Sequence, residues 1–171
     1  MPESRRIDPV ERAHLRDAAG YSPPIYRFAP TPALADVVRR FWLPVWSLPN
    51  GVRTQQRVLQ YPVCLVVVAD TYANLVGPTR GLATRELVGA GWACGTMLQS
   101  AAGSMLLAGP VRDVTDGAVP LESLPGLQGS ALIAQVRRAL GHDPHDAARQ
   151  QQTLAAVERA LAGLLPVPCS G

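Results

Sequence analysis

The sequence predicts an α+β fold in which an antiparallel β-barrel or sandwich is followed by helices. Segments of strand length, rich in Val, Leu and Trp, recur at roughly ten-residue spacing and are separated by turns that contain Pro or Gly. No segment long enough for a crossover helix lies between them, which disfavours parallel βαβ units. After residue 100 the apolar spacing becomes helical. The predicted strands cover residues 42–48, 52–59, 63–69, 74–76, 85–88 and 93–98.

The bulk composition indicates a single globular domain. The chain has 171 residues, of which 47% are apolar and 17% are charged, and a chain of this size buries about two-thirds of its unfolded surface in one core. The longest apolar run, residues 63–69, is far shorter than the ~20 residues of a membrane helix. Residues 1–16 lack the apolar stretch of a secretory signal. We therefore expect a cytoplasmic protein without a membrane span.

The charged residues and the cysteines argue against DNA contact and against a disulfide framework. The net charge is +3, and the basic residues, 16 in number and all arginine, are interspersed with acids, whereas a DNA-binding surface concentrates basic residues on one face. The cysteines are odd in number and lack Cys-x-x-Cys spacing. We expect Cys64 and Cys94 to be buried apolar residues and Cys169 to be an exposed thiol on the tail.

Two helices are predicted before the strands. Asp8-Pro9, with an acid at Glu11, is typical of a capped helix start and predicts a helix over residues 9–18, followed by a linker at Ser22-Pro23-Pro24. Thr31-Pro32 is a second cap residue followed by proline and is also typical of a helix start. Leu34, Val37, Val38 and Phe41 then follow at helical spacing, which predicts a second, short helix.

Three further helices are predicted after the strands. Ser100 is placed to cap a helix that ends before Gly109-Pro110, residues 130–140 form a second helix, and Asp143-Pro144 begins a long third helix that reaches about residue 164. The long helix carries an apolar stripe, which either pairs with a second copy of the chain or packs on its own domain. The stripe consists of Leu154, Val157, Leu161 and Leu164.

The predicted organisation has three parts. Residues 1–22 hold the first helix and the Pro-rich linker, residues 23–126 form the barrel, and residues 127–171 form the C-terminal helices with a possible dimer contact.

The order of several short segments resembles the amino-terminal sensor half of AraC-type transcription regulators over residues 21–165. The segments are Tyr26-Arg27-Phe28-Ala29-Pro30, a stretch ending in Phe41-Trp42, Arg57-Val58-Leu59, residues 63–69, Leu75-Val76-Gly77-Pro78, Thr115-Asp116 and Val119-Pro120-Leu121. The resemblance implies a cupin-like β-barrel that captures an effector, followed by helices that form a homodimer. It also implies that DNA is read by a helix-turn-helix pair in a domain absent from this chain.

The chain departs from the pattern of these regulators at one turn. Where many of them place Pro-Asp-Gly before the central apolar strand, this chain has Gln60-Tyr61-Pro62. A different turn changes the geometry with which the strand begins. The register of that strand, and hence the set of inward-facing side chains, is therefore left open.

Catalytic and metal-binding chemistry is not expected. Cupin enzymes hold their metal with histidines and a carboxylate on facing strands, whereas His14, His142 and His145 all lie outside the strand region. The spacing His142-x-x-His145 flanks a helix start and is not expected to bind metal. There is no nucleophile elbow, P-loop or Rossmann fingerprint either. We expect no enzyme activity, no cofactor and no metal.

A ligand pocket inside the barrel is the positive expectation. A small barrel encloses space that is filled by side chains or by a ligand, and the strand region holds aromatic residues, Trp46 among them. The tryptophans either fill the core or contact a ligand, and Arg57 either faces solvent or anchors a polar group. The candidate ligand contacts are Trp42, Arg57, Tyr61, Tyr72, Trp92 and Met97.

We therefore expect the effector-sensing and dimerisation domain of an AraC-type regulator that lacks its helix-turn-helix part, with an unknown small molecule as effector. The alternatives are a stand-alone cupin-like protein that binds a small molecule and, less favoured, a cupin-like enzyme.

Overall fold

The computed structural model describes residues 14–15, 17–59 and 62–164. In this part of the chain, antiparallel strands form two sheets and helices follow them, so the predicted α+β class is confirmed. The strands are β1 (His14–Leu15), β2 (Ile25–Phe28), β3 (Val38–Ser47), β4 (Arg53–Leu59), β5 (Leu65–Ala69), β6 (Ala73–Val76), β7 (Leu82–Val88), β8 (Ala90–Leu98) and β9 (Ala118–Pro120). The helices are α1 (Ala102–Leu107), α2 (Gly129–Leu140) and α3 (Ala147–Ala162).

The two sheets differ in size and in what they cover. A six-stranded sheet has the order β2-β3-β8-β5-β6-β9, and a three-stranded sheet has the order β1-β4-β7. The six-stranded sheet is apolar on both faces, because one face packs against the helices and the other faces the small sheet. None of the described helices has the length and apolar content to span a lipid bilayer.

Strand alternation divides the large sheet into these two faces. On the helix side, Phe41 and Leu43 of β3 pack with Val66 and Val68 of β5 and with residues of α2 and α3 in one core. On the opposite face, a second apolar cluster includes Leu65, Val67, Ala93 and Met97, with Trp42, Tyr72 and Val76 packed against it. Successive side chains of a strand point to opposite faces, so β5, whose five residues are all buried, serves both clusters.

The C-terminal helices are part of the same core as the strands. Leu154, Val157 and Leu161 of α3 are buried in the helix-side cluster, and Leu164 is partly buried against it. The three buried members of the stripe considered for dimerisation therefore pack on their own domain. A hydrogen bond also joins α2 to the sheet: Nε of Arg137 donates to the backbone oxygen of Ala69 in β5 at 3.1 Å.

The predicted helix over residues 34–41 is wrong. Only a single 3-10 turn forms at Pro32–Leu34, and β3 begins at Val38. The pairing of β3 with β8 shifts by one residue between Val38 and Arg40. Such a bulge puts one extra residue into the strand, so Val38 and Phe41 share the buried face although they are three residues apart. The bulge thereby imitates the spacing of a helix.

Other helix boundaries also differ from the expectations. His14–Leu15 pairs with β4 as a strand, so the helix predicted over residues 9–18 is wrong there; its earlier part, residues 9–13, lies outside the described residues. Helix α3 begins at Ala147 and is capped by Asp146, whose side chain accepts from the backbone N–H of Arg149 at 2.8 Å. The predicted cap, Asp143, instead accepts from the backbone N–H of His145.

The strands themselves are close to the prediction. Every predicted segment overlaps a strand from β3 to β8. The strands β2 and β9 were not predicted, although both lie in segments that carry the resemblance. They occupy the two edges of the large sheet, where a short strand needs only one partner.

Candidate ligand-binding cavity

A cavity of about 380 Å³ lies between the two sheets. Its walls come from β3, β5 and β8 of the large sheet, from β4 and β7 of the small sheet, and from the turn after β5. Its lining is mostly apolar with a few polar groups, as in small-molecule sites. The main lining side chains are Trp42, Pro44, Trp46, Gln56, Val58, Val67, Asp70, Tyr72, Arg85, Leu87 and Ala93.

Two indole rings form the wall that belongs to the large sheet. Trp42 and Trp46 lie on the same face of β3, four residues apart, and each faces a glycine of β8: Trp42 pairs with Gly95, and Trp46 with Gly91. A Cβ added at Gly95 would come within 2.2 Å of the Trp42 ring, and one at Gly91 within 2.4 Å of the Trp46 ring. Each indole therefore lies directly against the backbone, where any larger residue would displace it.

The wall that belongs to the small sheet is more polar. Gln56 of β4 is 1% exposed, and its Nε2 donates to the hydroxyl of Thr54 at 2.9 Å and to the backbone oxygen of Tyr21 at 3.5 Å. Val58 lies two residues further along the same face. Arg85 and Leu87 line the cavity from β7, where Arg85 is the partner of Gln56.

Charged groups line the cavity at the turn after β5 and on β7. Asp70 follows β5 directly, and its Oδ2 would lie 2.8 Å from a Cβ at Gly91, which places the carboxylate beside the Trp46 ring. The guanidinium carbon of Arg85 is 5.1 Å from the centroid of the Tyr72 ring, a cation–π distance. Glu86 forms an ion pair with Arg53 at 2.7 Å on the exposed side of the small sheet.

The structure brings together two of the six residues predicted from the sequence. Trp42 and Tyr72 line the cavity. Trp92 does not, because it points to the opposite face of β8 and is buried in the helix-side core at 7% exposure. Met97 packs in the cluster on the cavity side without lining the cavity.

The remaining two predicted residues are Arg57 and Tyr61. Arg57 is exposed, and because Gln56 and Val58 on either side of it face the cavity, it points outward from β4. The sequence left open whether Arg57 faces solvent or anchors a polar group, and in the structure it faces solvent. Tyr61 lies outside the described residues.

Sequence reasoning missed Asp70 and Arg85 and did not choose Trp46. A usable signal was present for Trp46, because it follows Trp42 at an even spacing within one strand and must share its face. Arg85 likewise lies two residues from Leu87 in β7 and must share its face. No local signal marks Asp70, which enters the cavity only because β5 ends beside the glycines of β8.

Cys64, Cys94, His142 and His145 do not line the cavity. Cys64 and Cys94 are buried as predicted, and burial raises the pKa of the Cys94 thiol to about 12. Burial also raises the pKa of Cys64. The hydroxyl of Tyr26 is 2.6 Å from Nδ1 of His145 and joins β2 to the segment before α3. Within residues 14–15, 17–59 and 62–164, no three His, Cys, Asp or Glu side chains are grouped to hold a metal ion.

Comparison with known families gives a match over residues 26–120, more than half of the chain. The matching family is described as a domain of unknown function, DUF6597. No curated protein and no solved structure matches the chain. The matched segment runs from β2 to β9 and contains nearly every residue that lines the cavity. The chain belongs to the DUF6597 family.

Proposed function

We propose that this chain is an effector-sensing domain that takes a small organic molecule into the cavity between its sheets, as the sensor half of an AraC-type regulator does. The observation that carries the proposal is the cavity, at about 380 Å³, with two indole rings on one wall. Ligand sites typically measure about 300–1,000 Å³ and combine apolar walls with a few polar groups. A cavity near the lower end of this range suits a small metabolite.

The resemblance of the sequence to AraC-type sensors supports the same function. In these regulators a cupin-like barrel precedes helices, and the α+β order of the present fold agrees with that arrangement. An effector acts by binding one conformation more tightly than another, so it shifts their populations by no more than its differential affinity.

A route from the cavity to the helices supports a sensing role. The turn at residues 70–72 lines the cavity, and the backbone N–H of Ala69 donates to the carbonyl of Tyr72 at 2.8 Å. The carbonyl of the same Ala69 accepts from Arg137 of α2 at 3.1 Å. A ligand that moves this turn would therefore alter a hydrogen bond that holds α2 to the sheet.

A thermal-shift screen of a broad library of small organic molecules tests the proposal. A compound that binds the native state raises the melting temperature by mass action, and we expect binding to change the fluorescence of Trp42 and Trp46. Val58→Phe, which projects a larger ring into the cavity, should abolish both effects. The matched control is Val52→Phe, at an exposed position outside the cavity; it should bind as the wild type does. A screen without any binder, or a binder unaffected by Val58→Phe, would refute the proposal.

The regulator is distinguished from a stand-alone binding protein by the reading frame beyond Gly171. A frame that continues into two helix-turn-helix patterns supports the regulator. A stop codon at that point supports the stand-alone binding protein.

A further inference from the structure

Two side chains of opposite charge line the cavity without an ion-pair partner among the residues that the structure describes. They are Asp70, after β5, and Arg85, on β7. They do not form an ion pair with each other, and the other charged residue of the lining, Glu86, is already held by Arg53. Asp70 is half-buried and Arg85 is exposed at the cavity wall, so each can bind a group of opposite charge that enters the cavity. The cavity therefore offers one place for a cation and one for an anion.

The place for a cation lies on the cavity side of Asp70, beside Trp46. Both side chains adjoin Gly91, since a Cβ there would be 2.8 Å from the Asp70 carboxylate and 2.4 Å from the indole ring. The point beside Gly91 is too tight for a methyl group, so an ammonium group reaches the Asp70 carboxylate from the cavity, with the Trp46 indole beside it. Both groups favour positive charge.

The place for an anion lies at Arg85. Its guanidinium stands over the Tyr72 ring, 5.1 Å from the centroid, and this stacking restricts the orientation of the side chain. A guanidinium presents paired N–H donors that match the two oxygens of a carboxylate. Tyr72 is two residues from Asp70, so the two charged places flank the same turn.

Resting on the proposed function, we propose that the ligand of this cavity is a zwitterion with a flat apolar body, of the class of the aromatic amino acids. The ammonium group binds at Asp70 and Trp46, the carboxylate binds at Arg85, and the ring lies against the indole wall. A purely cationic ligand would leave Arg85 without a counter-charge, and a purely anionic ligand would leave Asp70 without one. A zwitterion compensates both.

Calorimetric titration of the full chain with matched probes tests the assignment. The probes are L-phenylalanine, 2-phenylethylamine and 3-phenylpropionate, together with L-tryptophan, tryptamine and 3-indolepropionate. In each series we expect the amino acid to bind about tenfold or more tightly than either singly charged analogue, since each lacks one charge-assisted contact. This order is the result that supports the zwitterion.

Two near-isosteric variants assign the ends of the ligand. Asp70→Asn should weaken binding of the amino acid about tenfold and leave the carboxylate probe unaffected, and Arg85→Gln should weaken the amino acid and leave the amine probe unaffected. Asp36→Asn and Arg57→Gln remove exposed charges outside the cavity and should bind as the wild type does. Melting temperatures of the variants without ligand that equal the wild-type value verify that they fold. If only one of Asp70→Asn and Arg85→Gln folds, that variant alone tests its end of the ligand.

Different results would contradict the zwitterionic ligand and the proposed sensing function. A library compound that binds, is excluded by Val58→Phe and is insensitive to both charge substitutions would overturn the zwitterion and leave the sensing role intact. Amino acids that bind no better than their singly charged analogues would do the same. A wild-type chain that binds no probe and no library compound would overturn both.

Discussion

Thr96 places a hydroxyl in the apolar core between the large sheet and the helices. The residue is 1% exposed, and its pairing partners on the neighbouring strands are Phe41 and Val66. Its Oγ1 has no hydrogen-bond partner among the described residues. A buried hydroxyl without a partner lowers stability, because it gives up hydrogen bonds to water and gains none.

We expect Thr96→Val, which keeps the shape and removes the hydroxyl, to raise the free energy of unfolding by about 1–3 kcal/mol. Urea unfolding measures the change. The control is Thr153→Val in α3, which is equally buried but whose hydroxyl donates to the backbone oxygen of Arg149 at 2.9 Å. That change should lower stability, so the two variants should differ in sign. A loss of stability in Thr96→Val would show that the hydroxyl has a partner.

Gly95 determines where the Trp42 ring lies. A Cβ at this position would come within 2.2 Å of the indole, so Gly95→Ala should push the ring into the cavity and cost about 1–3 kcal/mol of stability through overpacking. Urea unfolding and the tryptophan emission spectrum measure the two effects. Gly163→Ala is the control, because a Cβ there meets nothing closer than 3.9 Å. Wild-type stability and an unchanged spectrum in Gly95→Ala would contradict the close contact.

At the scale of elements, the sequence was a good guide to the strands and a poor one to the segment before them. Val and Trp clusters between turn residues mark β3 to β8 well, since those side chains suit a pleated, half-buried surface. The spacing of Val38 and Phe41 was misleading because the bulge in β3 produces a three-residue repeat of buried positions. A bulge depends on pairing with β8, which no local window of sequence contains.

Helix α3 illustrates a question that periodicity alone cannot answer. Its stripe suits both a dimer seam and packing on a sheet, because either use needs apolar residues at spacings of three and four. The tertiary fold decides between them, and here the stripe faces the core.

We expect Leu161→Ala in α3 to lower the free energy of unfolding by about 2–5 kcal/mol, as for a buried leucine. Leu161 is 0% exposed, whereas Leu164, just past the end of the helix, is only partly buried. Leu164→Ala should therefore cost less. Light scattering coupled to size-exclusion chromatography should show the same oligomeric state for both variants and the wild type. Dissociation of an oligomer in Leu161→Ala without loss of stability would instead identify the stripe as an interface.

At the scale of the whole molecule, the sequence predicts an interior enclosed by strands, but neither whether that interior is hollow nor which residues line it. The count and spacing of strands predict that sheets enclose an interior, and an aromatic-rich strand region predicts what borders it. Trp42 and Trp92 are indistinguishable in sequence, yet they lie on opposite faces of the large sheet. Their faces are set by the registers of β3 and β8, and those registers depend on long-range pairing.

The two sheets are joined at one end by the segment from β1 to β2. Asp17 organises this segment: its carboxylate accepts from the hydroxyl of Thr54 on β4 and from the backbone N–H groups of Ala19 at 2.9 Å and Tyr21 at 2.7 Å. These bonds, first that from Thr54, hold the pKa of Asp17 below its ordinary value of 3.8. They favour the ionised carboxylate in the folded state.

The lowered pKa predicts how the stability of the wild type depends on acid. A carboxyl group with a lower pKa in the folded state stabilises the fold above its unfolded pKa, and this contribution is lost as the pH falls through the folded value. We therefore expect Asp17→Asn to melt below the wild type near neutral pH, with the difference shrinking below about pH 4. Melting temperatures across this pH range measure the difference between Asp17→Asn and the wild type.

Thr54→Val removes the principal hydrogen-bond donor to Asp17 and should reproduce much of the effect. The double variant should lose less than the two single variants together, because both substitutions remove the same hydrogen bond. Parallel melting curves for wild type and Asp17→Asn down to pH 2 would show that the carboxylate does not hold the junction between the sheets.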